Sequence, residues 1–483
     1  MKVKHIFYIL GAFLFYFGLT LLLPIIWSIY LGEGDLNALL LSLLITSATG
    51  AVFYFFFKPG EDRISLTHKE GFVIVTAGWI LAATFGSLPY LLYGVFSTFT
   101  DAFFESMSGF TTTGATVITS IASIPHGILL WRSLTQWLGG MGIIVLSIAI
   151  LPLLGVGGMQ LYKAELPGPV KDKLKPRIAE TARILWIVYV IISVVEFILL
   201  LFGGMGVFDS LCHTFTTMAT GGFSTSDTSI AHFHSAYIDG VITVFMLMAG
   251  INFSLHYSVL TGNFKTFFKN SELRFFLAVA LIATIIVTLN LRLNLFDETV
   301  KSLRYASFQV VSIFTTTGYV TGNFADWPAL SKIILLLLMF VGGSAGSTGG
   351  SIKCMRILLI IKHGYKELYR LVHPHAVTTV KLGENIVSVD IMESVWGFFI
   401  LYLSLTVFAT LIMSVLGVDM MTAFSSVAAT IGNVGPGFGM VGPSSTYSEL
   451  PYLGKWILSF CMLVGRLEIY TVIVLLIPEF WRK

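Results

Sequence analysis

The chain has 483 residues, of which 55% are hydrophobic and only 11% charged, with a formal net charge of +3. A soluble domain carries about 25% charged residues, so too little charge is present to coat a water-facing surface of this size. Composition therefore argues against a soluble enzyme, a nucleic-acid binder or a disordered scaffold, and for an integral membrane protein. Cys212, Cys354 and Cys461 are far apart and form no CxxC pair, which indicates neither a disulfide framework nor a zinc site.

Charge-poor runs of about 20 residues, enough to cross roughly 30 Å of hydrocarbon, recur along the chain. They lie near 6–30, 38–57, 71–94, 127–154, 184–204, 237–261, 275–291, 329–361, 393–417 and 453–478. The first follows Lys2 and Lys4, but it is too long for a signal-peptide core and lacks a small-residue cleavage site. It is read as a helix. Basic residues set the orientation. Lys2 and Lys4, then Lys58, Arg63 and Lys69, fall on one side if every run crosses once. So do the 162–183 link, Lys265, Lys269 and Arg274, the stretch from Lys353 to Lys381, and Arg482 and Lys483. That side is the cytoplasm, with both termini on it. Glu33 and Asp35 fall outside, and the 292–304 link, with Arg292, Lys301 and Arg304, departs from the rule.

Between the spans lie outward-side segments too short to cross and too apolar for ordinary loops. They align without gaps as an internal repeat. Asp101-Ala-Phe-Phe-Glu-Ser-Met-Ser-Gly-Phe-Thr-Thr-Thr-Gly114 matches Asp209-Ser-Leu-Cys-His-Thr-Phe-Thr-Thr-Met-Ala-Thr-Gly-Gly222. A third copy runs from Tyr305 through Ala306, Phe308 and Thr315-Thr316-Thr317 to Gly318; a fourth runs from Thr422 through Ala423, Phe424 and Gly432-Asn433-Val434 to Gly435. The four glycines are 108, 96 and 117 residues apart, room for a span, a re-entrant segment and a span. One copy could be a tight turn capping a hairpin. Four copies at matching positions point to ion dehydration, in which backbone carbonyls replace a cation's water shell without buried fixed charge. Glycine tolerates the strained backbone this needs, and a preceding short helix aims its negative end at the cation.

At these residues the chain resembles the superfamily of Trk, Ktr and HKT potassium transporters, in particular the membrane subunits of bacterial Trk uptake systems. The resemblance covers essentially the whole chain, including the two extra N-terminal spans. It implies an all-α integral membrane fold of four pseudo-symmetric helix–pore loop–helix repeats around one central pore, and no enzymatic activity. The corresponding divisions are 1–66 for the N-terminal helix pair, then 67–161, 162–270, 271–386 and 387–483 for the repeats. The resemblance further implies potassium-filter positions at Gly114, Gly222, Gly318 and Gly435. Carbonyls would come from Thr112, Thr113, Thr220, Gly221, Thr316, Thr317, Asn433 and Val434. In the fourth loop Gly432 offers a competing register three residues early; Gly435 keeps the 13-residue interval of the other copies. With unequal loops, selectivity is expected to be looser than in a symmetric tetrameric channel.

The eighth run contains Gly342, Gly343, Gly346, Gly349 and Gly350, five glycines that break a helix at about 1 kcal/mol each. The GxxxxGK[ST] phosphate loop is absent. Close helix packing at small residues would be one reading; the family forms an intramembrane gate loop here. Arg466, in the last run, is costly at mid-membrane and so a functional suspect; the family places an arginine here facing that loop. Pairing with Glu468 is poor, since i and i+2 lie on different helix faces. Gly437-Phe-Gly-Met-Val-Gly442 fits GxGxxG but lacks βαβ surroundings. Glu105 and His213 occupy equivalent positions, expected to be packing or hydrogen-bonding sites rather than metal ligands.

The resulting expectation is potassium uptake across the bacterial cytoplasmic membrane, with no cofactor in this chain and no nucleic-acid partner. The expected partners are a second copy, giving a homodimer, the lipid bilayer, and a cytosolic regulatory subunit of the TrkA type that binds nucleotide. The basic links 162–183 and 353–386 are the docking candidates. A proton- or sodium-coupled symporter would need a titrating group on the path, for which Glu196 and Glu468 are the nearby candidates. A membrane enzyme would need a catalytic cluster, and none is found.

Overall fold

In hydrocarbon every backbone N–H and C=O must find a partner inside the protein, so apolar runs become helices. The structure, a computed structural model, describes residues 2–59, 67–149, 174–376, 378–383 and 385–482. Within them the only strands form a hairpin of Lys381–Leu382 with Asn385–Ile386. Helices Val3–Leu31, Leu36–Phe56, His68–Tyr93, Glu180–Phe202, Ser271–Asn294 and Val389–Val415 are each long and apolar enough to cross a membrane. Phe55, Phe56, Leu281, Ile282, Val407 and Leu411 point outward from them, as a surface facing lipid requires. The N-terminal pair crosses closely: a Cβ on Gly50 would lie 2.8 Å from the Gly11 carbonyl oxygen.

The remaining spans enclose four short helices, Phe99–Phe110, Val207–Met218, Thr299–Phe314 and Met420–Ile431, here called pore helices 1 to 4. Two of them start on side-chain caps that satisfy first-turn N–H groups. Thr98 accepts from Asp101 N at 3.2 Å, and Asp419 from the N–H groups of Met421 and Thr422 at 3.1 Å each. A second span follows each pore helix: from His126, Ala236, Ala329 and Tyr452.

These second spans differ from expectation. Only the eighth run was expected to break, and it does: helix Ala329–Val341 ends, and Cys354–Val372 begins beyond the glycines. The runs at 237–261 and 453–478, read as continuous, are also broken. Ala236–Gly250 meets Phe253–Leu260 at 103°, and Tyr452–Arg466 meets Tyr470–Leu476 at 112°. The first break follows from Gly250 and from Asn252, whose side chain caps the next helix by accepting Ser254 N at 2.9 Å. The second holds Glu468 and Ile469 at positive φ, 55° and 25°.

The backbone N of Lys2 donates to Glu70 Oε1 at 2.6 Å, and Lys69 Nζ donates to the Phe480 carbonyl at 2.9 Å. The two chain ends and the start of the third span therefore share one face. In the link that departs from the charge rule, Arg304 donates to Asp239 at 2.8 Å and Lys301 lies over the Phe296 ring. Those charges are taken up locally.

Candidate functional site

Every pore helix ends by the same device. Thr112, Thr220, Thr316 and Asn433 take φ of 51°, 53°, 63° and 52°. The next N–H then reaches back five residues, Thr113 to Ser108 O, Gly221 to Thr216 O, Thr317 to Ser312 O and Val434 to Ala429 O, each at 2.8 Å. This is a Schellman-type closure built on threonine or asparagine where glycine is usual. A β-branched residue at positive φ is strained, so the surrounding packing must hold it. One glycine follows the reaching residue and again turns left-handed: Gly114 at 81°, Gly222 at 74°, Gly318 at 81° and Gly435 at 98°. Alternating the sign of φ turns successive carbonyls toward one side, which is how non-helical backbone lines a cavity with oxygen. Gly432, the alternative in the fourth loop, has φ of −80° and only caps its helix.

The glycines interlock around an axis. A Cβ on Gly114 would fall on the Gly221 carbonyl oxygen, one on Gly222 on that of Thr317, and one on Gly318 on that of Val434. One on Gly435 would lie 2.7 Å from the Thr113 carbonyl oxygen. Each glycine thus faces the carbonyl just before the next repeat's glycine, and the fourth returns to the first. The ring is closed. All four glycines line one cavity of about 180 Å³, shared with Thr116, Asp227 and Tyr447.

Against the opposite, pore-helix side of the ring lies the segment 342–353, largely buried. Gly350 N donates to Thr316 Oγ1 at 2.7 Å, and Ser351 Oγ to the Gly432 carbonyl at 3.2 Å. Thr348 Oγ1 lies 3.1 Å from the carbonyls of both Met218 and Ala249 and shares its one proton between them. The break in the second repeat receives this segment: Ser344 N donates to Gly250 O at 2.9 Å, and Phe253 N to Gly346 O at 3.1 Å. A Cβ on Gly343 would be 3.1 Å from the Gly250 carbonyl oxygen, and one on Gly349 3.0 Å from that of Thr315. Gly342 and Gly346 supply the turns, at φ of 75° and 74°. Arg466, 2% exposed, reaches the same segment and donates to Thr348 O at 2.6 Å and to Gly139 O at 3.2 Å. Its partners are carbonyls, not an acid. Glu468 pairs instead with Arg356, whose guanidinium also stacks 4.0 Å over Phe398. Lys353 Nζ caps the Gly349 carbonyl.

The structure therefore brings the twelve filter candidates into one ring and the five glycines and Arg466 beneath it. Gly221 departs in detail, since its carbonyl also accepts from Gln136 Nε2 at 2.7 Å. Glu105 and His213 are hydrogen-bonded helix residues, as expected: Glu105 accepts from Arg132 Nε at 2.7 Å and Val117 N at 2.9 Å, and His213 contacts Ser224 Oγ at 3.0 Å. Glu196 is buried close to Thr217. The 162–173 part of the first basic link lies outside the described residues, while Lys362 in the second donates to the Lys381 carbonyl at 2.7 Å. Arg132, Gln136, Gln309, Tyr319 and Tyr447 were not singled out from sequence. The signal for Gln309 was present, since it stands nine residues before its glycine, like Glu105 and His213.

Four pore-helix repeats closed into one ring inside a lipid-facing shell define a multi-pass membrane protein built around a pore. The family model TrkH, described as cation transport protein, matches residues 36–483. The chain belongs to this TrkH family of cation transport proteins. It is 44% identical to the Trk system potassium uptake protein TrkH of Salmonella typhimurium and 46% identical to that of Halomonas elongata, over 100% of both chains in each case. The crystal structure of the potassium transporter TrkH from Vibrio parahaemolyticus matches with a TM-score of 0.92 and 38% identity, again covering 100% of both chains. These relatives are named as transport proteins, not enzymes.

Proposed function

We propose that this chain carries potassium across the cytoplasmic membrane through the ring of carbonyls at Thr112–Gly114, Thr220–Gly222, Thr316–Gly318 and Asn433–Gly435. The observation that carries this reading is the interlocked ring of glycines and carbonyls. Neutral oxygens from four sides suit a monovalent cation that gives up its water in stages. Full-length relatives are named as potassium uptake proteins. The residue groups 67–161, 162–270, 271–386 and 387–483 act as the four repeats, with 1–66 as the additional N-terminal helix pair.

The 342–353 crossing is the gate, and the Arg466 charge beneath the ring opposes cations while it is closed. Helix Cys354–Val372 begins where the crossing ends, so a load on this helix is transmitted to the gate. A cytosolic nucleotide-binding subunit of the TrkA type, docking on 162–183 and 353–386, would apply that load. Two copies of the chain form the working dimer, and both termini face the cytoplasm. Tracer flux of potassium, rubidium and sodium in proteoliposomes, with Gly318→Ser beside the unaltered protein, tests the filter. Loss of discrimination is expected; unchanged rate and selectivity would overturn the assignment. Flux is expected to follow the potassium gradient and to ignore an imposed proton gradient, which separates this reading from coupled symport.

A further inference from the structure

The ring repeats fourfold, but what holds it from behind does not. Nine residues before the four glycines stand Glu105, His213, Gln309 and Ser426. In the first repeat, Glu105 is fully buried and accepts from Thr116 Oγ1 and Val117 N, both 2.9 Å away and both just past Gly114. Its ion-pair partner Arg132, 2% exposed, lies 2.7 Å away on the following span. Arg132 then crosses into the second repeat: its NH1 donates to Ser224 O at 3.0 Å, and its guanidinium lies 3.6 Å over the Phe223 ring. Phe223 and Ser224 directly follow Gly222. One turn further along the same span, Gln136 donates to Gly221 O at 2.7 Å and accepts Phe223 N at 3.1 Å. Residues i and i+4 share a helix face, so one face of one helix grips both loops.

The third and fourth loops are held by neutral groups. Gln309 and Ser312 donate to Tyr319 O at 3.3 and 2.7 Å. Ser425 Oγ bonds both ends of Phe438, and Tyr447 OH donates to Gly435 O at 2.7 Å. Between those two repeats the rings of Phe324 and Phe438 meet edge to face. Hydrogen bonds with an ionised partner are roughly twice as strong as neutral ones, and the planar Arg fork holds direction as well as distance.

We propose that the Glu105–Arg132 pair is a specificity-determining brace, fixing the first two loops so that the ring discriminates potassium from the smaller sodium ion. The inference rests on the filter reading above and extends it. Sodium can be coordinated as well as potassium only if the carbonyls move inward. The brace resists that movement at the two loops it joins, while the neutral half of the ring gives more freely. Neither residue touches the ion; both are positioning residues.

The test is the potassium-to-sodium flux ratio in proteoliposomes for Glu105→Gln, Arg132→Lys and Ser425→Ala, with Gly318→Ser as reference. Glu105→Gln and Arg132→Lys are expected to lower the ratio by about tenfold, because each replaces or misdirects a charge-assisted bond. Ser425→Ala removes two neutral bonds at a loop the brace does not reach and is expected to change the ratio less than the charge variants do. Glu105→Asp, which keeps the carboxylate, is expected to recover part of the lost ratio. A merely structural role would reduce both fluxes together, and an unchanged ratio in either folded charge variant overturns the proposal. Arg132→Lys keeps the buried charge balanced, so it carries the test if Glu105→Gln does not yield folded protein. If Gly318→Ser shifts the ratio while the brace variants do not, the brace fails and the filter reading stands. If Gly318→Ser leaves the ratio unchanged, both fall.

Discussion

Replacing each ring glycine by alanine gives an ordered series of effects that the geometry fixes in advance. All four positions carry the same backbone cost, about 1–2 kcal/mol for an L-residue in left-handed conformation. The steric cost differs. At Gly114, Gly222 and Gly318 the new methyl would overlap a neighbouring carbonyl oxygen outright, more than 1 Å inside the 3.4 Å at which ordinary contact begins. At Gly435 the Thr113 carbonyl is 2.7 Å away, a shortfall of about 0.7 Å. Backbone carbonyls cannot swing aside like flexible side chains, so relief requires turning the peptide that the ring uses as a ligand. Overpacking of this kind costs about 1–3 kcal/mol, and 1.4 kcal/mol is about tenfold in an equilibrium. Gly222→Ala is therefore expected to lose at least about tenfold in potassium-over-sodium discrimination, with Gly114→Ala and Gly318→Ala alongside it and Gly435→Ala the mildest of the four. Tracer uptake of rubidium against sodium into proteoliposomes, at matched amounts of folded protein, gives the ranking. Gly435→Ala proving as damaging as the other three, or Gly222→Ala retaining full selectivity, would refute the ring geometry.

Three further variants probe the surroundings. Arg466→Ala removes two charge-assisted hydrogen bonds to Thr348 O and Gly139 O, each worth about 1.5–3 kcal/mol, together with the positive charge beneath the ring. Basal potassium flux should rise, as it should on deleting Gly346–Gly350, and a folded variant with unchanged or lower flux counts against the gate. Glu468→Gln leaves Arg356 without its carboxylate; breaking a fully buried pair costs about 3–5 kcal/mol, and with Glu468 17% exposed a smaller loss should lower the thermal midpoint in detergent, with Arg356→Met in the same chain restoring part of it. Asp419→Ala strips the cap from pore helix 4 and should cost about 1 kcal/mol, whereas Asp419→Asn should cost little. The Thr422 side chain and N–H hold the Asp419 carboxyl below its usual range. The added stability of the charged cap is therefore complete above about pH 4 and is lost as pH falls through the lowered value, a change that Asp419→Asn should abolish.

The repeat was legible because it is carried by residue type at fixed spacing: Thr-Thr-Thr-Gly in two copies, and glycine at the matching place in all four. The 342–353 break was legible for the same reason, as five glycines cannot continue a helix. The breaks at Gly250 and at Glu468 were not read. Gly250-Ile-Asn252 did carry a helix-stop and helix-start signal, but apolar residues on both sides masked it. Glu468 and Ile469 hold no such signal, and their geometry depends on Arg356, 112 residues away in the chain. The supports behind the ring were hidden for a related reason. Arg132 stands alone as a charge in an apolar run and was not singled out, because its partners Glu105 and Ser224 belong to two different repeats.

For the gate proposed above, the use of glycine in the crossing explains how the segment would seat against the ring and still be released. Every repeat bonds to the crossing or to the arginine that holds it. Thr348 bonds carbonyls of the second repeat, Gly350 a threonine of the third and Ser351 a carbonyl of the fourth, and Arg466 links Thr348 to Gly139 of the first. A neutral bond contributes only about 0.5–1.5 kcal/mol net, so no single contact locks the segment. A Cβ on Gly350 would press on the Gly432 carbonyl and lie 3.0 Å from Asn433 Cβ. A side chain there would lift the crossing off the ring and forfeit several bonds at once. Strain opposes the same bonds: Ser351 and Lys353 sit at φ of 62° and 80°, conformations costing about 1–3 kcal/mol each. Both lie at the end of the crossing that leads into helix Cys354–Val372. In the gating proposed above, movement of that helix would act first on these strained residues, so the helix would serve as the lever and the glycines as the seal.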